Sequence, residues 1–379
     1  MKKRLLIIAV LFLLLPIHSL AAEDSSGYPE EFSDMLEEQS SALGADRLPD
    51  ALPDSADELM HGIDVSDSTA PQNGLAKILD GAKSYIAGAF AGALASCTAI
   101  ILISIAVGVF KSAFPDAAGK TQGNYAILAA VLAISGIALA RVGSFIGLGE
   151  TVLQELETFG SALLPVVSAA AAASGEVTAA AVKYSASVLV INVMMRAMRG
   201  IVMPLIYAYC AVSIADAAVG DGTLSGVADF IRWLCKTILT VFSIVFISYI
   251  TLSGVVSQTA DAMAVKTARV AISTVLPVVG GILSDAASTV LSGAQILKNA
   301  TGIFGMLAII AICIVPFLKL GINYLVFKAA GSVSGTVADA RISRLINNVS
   351  TAFGMTLAMT GVCALMLFVS LVTSVNILA

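Results

Sequence analysis

The chain contains 379 residues, of which 58% are hydrophobic and only 12% are charged, with a formal net charge of −5 and a mean hydropathy of +0.93. An average soluble domain is about 45–50% apolar and about 25% charged, so this composition excludes an ordinary soluble protein. Aromatic residues make up only 6% of the chain, whereas glycine occurs 31 times. This balance favours closely packed helices over an aromatic-girdled barrel. We therefore predict an all-α, polytopic helical membrane protein.

Residues 1–22 have the pattern of a secretory signal peptide. Lys2, Lys3 and Arg4 form a basic start, and Leu5–Leu15 is an apolar core of 11 residues. Small residues follow at Ser19-Leu20-Ala21, as at a cleavage site. Because the apolar core is short for a membrane span, we expect cleavage rather than an uncleaved anchor. In either case the signal places the following residues outside the cytoplasm.

Residues 23–84 form an acidic segment. Between Glu23 and Lys83 there are 15 acidic and 3 basic residues, so this stretch carries 15 − 3 = 12 net negative charges. Such a segment buries little apolar surface on its own. It is either a solvated linker or an extracytoplasmic docking arm for a partner.

Residues 85–379 form the predicted membrane domain. Runs of about 20 apolar residues are long enough to cross a bilayer. Two further segments, 159–173 and 270–291, are apolar but rich in Gly, Pro, Ser and Ala, so they are spans, re-entrant half-helices or interfacial helices. The clear candidate spans are 85–110, 124–147, 180–199, 201–219, 233–256, 303–327 and 346–375.

The placement of Lys and Arg predicts the orientation of these spans. With the mature N-terminus outside, eight spans bring the basic connections to the cytoplasm if 270–291 crosses and 159–173 does not. Lys298 is the exception to the rule. The basic residues placed inside are Lys111, Lys120, Arg196, Arg199, Lys266, Arg269, Lys328, Arg341 and Arg344.

An internal duplication complicates this topology. Leu164-Pro165-Val166-Val167 recurs as Leu276-Pro277-Val278-Val279, Pro204 recurs as Pro316 at the same offset, and Val227-Ala228-Asp229 recurs as Val337-Ala338-Asp339. Residues of about 159–250 thus resemble those of about 271–375. Duplicated halves with broken segments are common in transport folds, so we interpret four prolines as breaks in the repeated motif. These are Pro165, Pro204, Pro277 and Pro316.

Motifs that carry chemistry are missing from the sequence. There is no GxxxxGK[ST] phosphate loop and no HExxH, and the two histidines, His18 and His61, lie in the signal and the acidic segment. The five cysteines all lie within apolar runs. The sequence therefore predicts no enzyme, cofactor, metal site or nucleic-acid partner.

Polar residues within apolar spans are the remaining candidates, because ionisable groups in a membrane usually line a cavity or an interface. Residues 192, 196 and 199 share one helical face. Arg196 and Arg199 alternatively mark a cytoplasmic span end, and Lys319 alternatively reaches the interface. The candidate conduit residues are Asn192, Arg196, Arg199, Asp216, Lys319 and Asn323. GxxxG pairs at Gly88/Gly92, Gly143/Gly147 and Gly331/Gly335 predict close helix packing.

One stretch of the sequence begins with Ala264–Arg269, continues through Leu276-Pro277-Val278-Val279-Gly280-Gly281 and ends with Leu283-Ser284-Asp285-Ala286. It resembles the stage III sporulation protein AE family of endospore-forming bacteria. The signal peptide, acidic arm, membrane entry near residue 85 and C-terminal span also match the layout of that family. The resemblance covers essentially the whole chain.

The resemblance implies a function that composition does not reveal. Family members look like parts of a channel or secretion-like complex joining the mother cell to the forespore, in the mother-cell membrane that surrounds the forespore. Implied partners are the other membrane proteins of the stage III sporulation A operon, their cytoplasmic ATPase, and a forespore protein in the intermembrane space. The complex serves late forespore gene expression and forespore maintenance. The family supplies no catalytic residues.

We expect a membrane-embedded channel component energised by the ATPase partner. The alternative is a self-sufficient transporter of a small solute, since duplicated halves also fit a carrier. A carrier predicts that Arg196, Asp216 or Lys319 is indispensable, because it needs a binding site within the membrane. A structural component predicts greater sensitivity in its packing faces.

Overall fold

The computed structural model describes residues 30–63, 70–113, 121–248 and 280–375, and within these ranges the regular structure is entirely helical. The all-α prediction is confirmed. Short 3₁₀ turns at Ala45–Arg47 and Pro49–Ala51 separate the first two helices. The helices are α1 (Glu30–Leu43), α2 (Asp54–Met60), α3 (Ala70–Ala113), α4 (Thr121–Ala173), α5 (Val177–Ala197), α6 (Met203–Val219), α7 (Ser225–Ser248), α8 (Gly280–Val337) and α9 (Ala340–Val375).

Six helical segments in the described ranges are long and apolar enough to cross a membrane. The polytopic membrane class is thus confirmed. Several segments far exceed the ~20 residues that a bilayer requires, so they extend beyond the hydrocarbon layer or tilt within it. The segments are Gly74–Phe110, Tyr125–Ala173, Ala180–Val219, Ser225–Ser248, Thr289–Val337 and Ala340–Ser374.

The separation of 180–199 and 201–219 into two spans is wrong. A π-helical segment, Met198–Val202, joins α5 to α6, so residues 180–219 form one continuous helical rod. The wider π turn accommodates Pro204 in the first turn of α6, where its missing N–H does not end the helix. The eight-span topology, which placed a membrane crossing on each side of Gly200, is corrected accordingly.

The segment 159–173 is also not a separate element. It continues the span 124–147 without interruption as the C-terminal part of α4, with Pro165 inside the helix. Likewise, residues 280–291 continue directly into 303–327 within α8, which contains Pro316. Helix interiors in membrane proteins tolerate proline when neighbouring groups satisfy the freed carbonyls.

Helix α8 lies at the centre of the bundle and packs against α3, α4 and α9 as well as the two arm helices α1 and α2. A cluster of three aromatic rings joins three of these helices. The rings of Phe145 and Phe353 meet edge to face at 5.2 Å, and those of Phe327 and Phe353 at 5.1 Å. Such pairs contribute about 0.5–1.5 kcal/mol each beyond their buried area.

Helices α8 and α9 form a hairpin packed through small residues. A Cβ atom at Gly331 would lie 2.8 Å from the Asn347 side chain, and one at Gly335 would lie 3.0 Å from Ser343 Oγ. The Ser343 hydroxyl donates a hydrogen bond of 2.8 Å to the Gly331 carbonyl. The packing role predicted for this GxxxG pair is confirmed.

The bundle has two distinct ends. At the basic end, the Gly108 backbone of α3 touches Val337 at the end of α8, and Gly220 after α6 touches the Arg341 guanidinium of α9. At the opposite arm end, Gly74 of α3 contacts Leu307, and Gly293 of α8 contacts Met35 of α1. Charge is therefore polarised along the bundle, with Arg341 and Arg344 beside the turns at one end and the acidic segment at the other.

Residues 30–63 do not form a solvated linker. Five of their apolar side chains are buried in the same core as the membrane helices, and Tyr85 Oη of α3 donates a 2.9 Å hydrogen bond to Glu58 Oε2. The segment is therefore a packed cap on the arm end, with its acidic residues on the outside. The buried side chains are Ala45, Leu48, Ala56, Leu59 and Met60.

Some predictions lie outside the described residues. These are the signal peptide at residues 1–22, Lys120, the basic pair Lys266 and Arg269, and Pro277 with the second Leu-Pro-Val-Val motif. Residues 249–256 of the predicted span 233–256 and residues 270–279 of the segment 270–291 also lie outside the described ranges. The duplication therefore stays a prediction. Of its matched pairs, Val227-Ala228-Asp229 opens α7, and Val337-Ala338-Asp339 forms the turn between α8 and α9.

Candidate functional site

Asn192, Arg196 and Arg199 were predicted to share one helical face, but the structure places them in two different environments. Asn192 and Arg196 are exposed on the outer side of α5, and the Asn192 side chain donates a hydrogen bond to the carbonyl of Val188 within its own helix. Arg199 lies in the π segment, half-buried, and its Nη2 is 2.7 Å from Glu157 Oε2 of α4. The π turn alters the helical register at this point, so Arg199 points towards α4.

Lys319 and Asn323 lie on α8 in the middle of the bundle. The Lys319 ammonium is 5.9 Å from the centroid of the Tyr85 ring, which is near the outer limit of a cation–π interaction. Asn323 is 2% exposed and donates to the Lys319 carbonyl, while its Oδ1 has no hydrogen-bond partner in the described part of the chain. Lys319 therefore lies level with Tyr85 of α3, whose hydroxyl bonds to Glu58 of α2.

Asp216 lies near the basic end of α6 and is only 3% exposed. Its Oδ1 and the hydroxyl of Ser213, one turn earlier, lack hydrogen-bond partners among the described residues. Tyr209, two turns from Asp216, donates a 3.1 Å hydrogen bond to Asn348 Oδ1 of α9. A polar strip thus runs between α6 and α9.

The structure does not gather the predicted polar residues into one site. Arg199 and Asp216 are separated by 17 positions on one helical rod, which corresponds to about 25 Å at 1.5 Å per residue. Arg199 pairs with α4, Lys319 contacts α3, and Asp216 faces the bundle near the basic end. Among the prolines, Pro165 and Pro204 are exposed and Pro316 is buried, and none of these three ends a helix.

An ion pair involving a buried lysine was not among the predicted candidates. Lys298 of α8 is fully buried, and its Nζ is 2.8 Å from Oε1 of Glu176, whose side chain is 24% exposed. Glu176 lies in the turn Ser174–Glu176 that joins α4 to α5, so the pair fastens this turn onto the central helix. The available signal was the exception that Lys298 makes to the charge rule, which its burial and pairing now explain.

Arg141 was likewise not among the residues predicted from the sequence. It lies on α4 within the segment Tyr125–Ala173, and its Nη2 donates a 2.9 Å hydrogen bond to the carbonyl of Gly92 on α3. Gly92 is the midpoint of the segment Gly74–Phe110. A charged side chain within an apolar helix is costly, by about 2.5–3.5 kcal/mol at the centre of a membrane helix on insertion scales. Its position inside an apolar run was the signal that could have identified it.

The basic end is built from two tight turns. Gly220 has a φ of 83°, a conformation that favours glycine, and a Cβ there would force the Arg341 guanidinium to move. The Asp221 carboxylate accepts hydrogen bonds of 3.0 Å from the Thr223 backbone N–H and 2.8 Å from its hydroxyl. These bonds lower the pKa of Asp221 below its ordinary value, as does the nearby Arg341 charge to a smaller extent.

The paired ionisable groups contact neighbouring helices and are spread over the bundle. In the described ranges, no three His, Cys, Asp or Glu side chains cluster in a way that could hold a metal ion, and the five cysteines are buried and unpaired with one another. The ionisable groups instead connect pairs of helices. This arrangement suits a rigid membrane scaffold that presents charged groups at defined depths.

Comparison with known proteins supplies the family. The family described as Stage III sporulation protein AE matches residues 65–377. Over 362 residues, the chain is 24% identical to the Stage III sporulation protein AE of Bacillus subtilis (strain 168), covering 92% of this chain and 90% of that protein. No solved structure matches the chain. Since the family match covers most of the sequence, the chain belongs to the stage III sporulation protein AE family.

Proposed function

We propose that this protein is a membrane component of a channel or secretion-like complex connecting the mother cell to the forespore. It acts in the mother-cell membrane that surrounds the forespore and serves late forespore gene expression and forespore maintenance. The single observation that carries this proposal is the family match over residues 65–377. The helical scaffold, in which charged residues connect helices, supports a structural role rather than an enzymatic one.

The polarity of the bundle supports the orientation that we propose. The basic end, with Lys328, Arg341 and Arg344, faces the mother-cell cytoplasm by the positive-inside rule. The packed arm of residues 30–63 then lies between the two membranes, which agrees with an N-terminal signal peptide. A cytoplasmic ATPase partner would supply energy at the basic end, and a forespore partner would meet the acidic arm. The remaining partners are membrane proteins of the same sporulation operon.

A self-sufficient solute transporter is the second candidate, favoured by ionisable groups within apolar helices. The spread of Arg199, Asp216 and Lys319 over different depths and different helix pairs disfavours it. A carrier needs convergent polar groups around one substrate, and these residues do not converge.

The test is a gentle-detergent pull-down of a tagged full-length copy from sporulating cells, with an unrelated tagged membrane protein as control. We expect the operon's ATPase and its other membrane proteins to co-purify in stable ratios. If the protein is recovered alone from intact membranes, the proposed complex is wrong. Uptake of solutes into vesicles containing the purified protein would then test the transporter.

A further inference from the structure

We propose that the lipid bilayer surrounds only the basic-end half of the bundle. The arm-end halves of α4 and α8, together with α5 and the packed arm, then form a helical domain that projects from the membrane. The inference rests on the proposed function only for the side on which this domain lies, which is the space between the two membranes.

The first support is the length of the helices. The segment Tyr125–Ala173 of α4 contains 49 residues, which is about 74 Å at 1.5 Å per residue. A hydrocarbon layer of about 30 Å would contain all of it only at a tilt of roughly 65°. Transmembrane helices tilt by up to about 40°. The segment Thr289–Val337 of α8 is equally long, so both helices must leave the bilayer.

The second support is a change in composition along the exposed face of α4. Towards the basic end, this face carries Leu128, Leu132 and Leu139. No leucine, isoleucine, valine or aromatic side chain is exposed between Leu139 and Val177. A surface within the hydrocarbon layer is apolar, so the edge of this layer crosses α4 before Glu150. Beyond it, the exposed residues are Glu150, Thr151, Gln154, Thr158, Ser161, Pro165 and Ala173.

Helix α3 changes in the same way along its length. Its arm-end part exposes Lys77, Asp80 and Lys83, and the last two form an ion pair in water. From Ile86 to Val109 the exposed large side chains are all apolar. This stretch is about 35 Å long, which matches a hydrocarbon layer of about 30 Å crossed at a modest tilt.

The two changes lie at one level. Helices α3 and α4 run in opposite directions, and Arg141 of α4 bonds to the Gly92 carbonyl of α3. Ile86 precedes Gly92 by six residues, so it lies level with a position about six residues after Arg141. That position falls between Leu139 and Glu150, where the exposed face of α4 changes.

The arm-end half of α8 is apolar because protein covers it. Phe304, Leu307 and Ile312 are at most 5% exposed. A Cβ added at Gly74 of α3 would touch the Leu307 side chain, which places this part of α8 beside the charged part of α3. Burial within the protein therefore accounts for these apolar residues without a surrounding bilayer.

Helix α5 belongs to the same half of the bundle. Its outer face mixes exposed Leu189 and Val193 with exposed Asn192 and Arg196. An exposed arginine and an exposed asparagine side by side are costly in hydrocarbon. This mixed face is therefore better suited to an aqueous space than to lipid tails.

Aromatic side chains of α7 mark the other edge of the bilayer, near the basic end. The rings of Phe230 and Trp233 stack with their centroids 5.8 Å apart, and both side chains are exposed. Arg232 and Lys236 lie beside them in the sequence. Tryptophan concentrates at membrane interfaces, and long basic side chains reach the headgroups there.

The experiment measures which positions react with a membrane-impermeant maleimide. The full-length protein is made in wall-free cells that lack the other operon proteins, with one cysteine added at a time. The native cysteines are buried, so the unsubstituted chain gives the background. We expect Gln154→Cys and Ser161→Cys to react at least about tenfold more than Leu132→Cys, because a thiol reacts as a thiolate in water. Arg344→Cys should react only after the membrane is permeabilised.

Lys83→Cys, in the exposed part of α3, is the positive control. Reaction of Lys83→Cys without reaction of Gln154→Cys and Ser161→Cys would place the arm-end half of α4 in the bilayer and overturn the inference. Reaction of all three only after permeabilisation would overturn the assigned side. Failure of the operon proteins to co-purify would contradict the proposed function and leave these labelling patterns unchanged.

A second measurement uses the wild-type chain, in which Trp233 is the one tryptophan. In vesicles, bromine atoms placed near the lipid headgroups should quench its fluorescence more than bromine atoms placed near the bilayer centre. Stronger quenching from the bilayer centre, or no quenching by either lipid, would move the bilayer away from this edge and overturn the inference.

Discussion

The α8–α9 hairpin and the α3–α4 pair both use glycine at GxxxG spacing, yet their surroundings differ. Gly331 and Gly335 of α8 are covered by Asn347 and Ser343 of α9, whereas a Cβ added at Gly143 or Gly147 of α4 would meet no described atom within 4 Å. The most apolar stretch of α8 is 67% buried, against 33% for α3. The same motif therefore packs two helices together in one region and lies on an uncovered surface in the other.

The largest expected effect on stability comes from the buried aromatic cluster that packs against α8 and α9. Phe353→Ala removes a ring that touches both Phe145 and Phe327, and it should destabilise the protein by about 3–5 kcal/mol because it leaves a cavity. Phe90→Ala on α3, where the ring is 47% exposed, should have a much smaller effect. Thermal unfolding of both variants in detergent checks this difference. Equal losses would contradict the distinction between the two regions.

The buried ion pair of α8 should respond asymmetrically to its two substitutions. Glu176→Gln leaves the fully buried Lys298 charge without its carboxylate, which should cost about 3 kcal/mol or more. Lys298→Met should cost less, because the remaining Glu176 carboxylate is partly exposed.

The matched control for this pair is Lys83→Met on α3, which removes an exposed pair with Asp80 and should change stability very little, because water screens the two charges. Chemical unfolding in mixed micelles would measure all three variants. A larger loss of stability for Lys298→Met than for Glu176→Gln would contradict this prediction, because the unpaired Glu176 carboxylate would then be more costly than the unpaired Lys298 ammonium.

Glycine-to-leucine substitutions test the comparison directly. Gly331→Leu should destabilise the protein by about 1–3 kcal/mol, because the new side chain collides with Asn347 and disturbs the Ser343 hydrogen bond. Gly143→Leu should leave the stability of the isolated protein nearly unchanged, since the added side chain meets open space. The melting temperatures of the two variants, measured side by side, decide whether the α4 glycines are open in the isolated chain.

The smallest effect belongs to the turn at the basic end, outside both regions. The hydrogen bonds from Thr223 lower the pKa of Asp221 in the folded protein below its ordinary 3.8. A depressed folded-state pKa gives stability that is present above the unfolded pKa and is lost as the pH falls through the folded pKa. Wild-type protein should therefore exceed Asp221→Asn slightly in melting temperature at neutral pH. The difference should shrink below pH 3.8, and a difference that grows in acid would contradict this assignment.

The sequence predicts the helical membrane class because long apolar runs have few other solutions. It does not predict helix continuity at Pro165, Gly200 and Pro204, because a π turn and the surrounding helices decide whether a proline ends a helix. The partner of Lys298 could not be predicted either, since Glu176 lies 122 positions away and only tertiary packing brings the two together. Nor does GxxxG spacing reveal whether its glycines face α9 or the outside.

The most direct test of the central claim is the sporulation efficiency of cells whose only copy carries Arg196→Gln, Asp216→Asn and Lys319→Gln together, compared with cells carrying Gly331→Leu. A structural component of a complex should retain most of its function in the triple variant, because these residues do not converge on one site, and should lose more with the packing lesion. Near-complete loss of spores in the triple variant, with stable protein in the membrane and normal sporulation for Gly331→Leu, would contradict the account and favour a transporter.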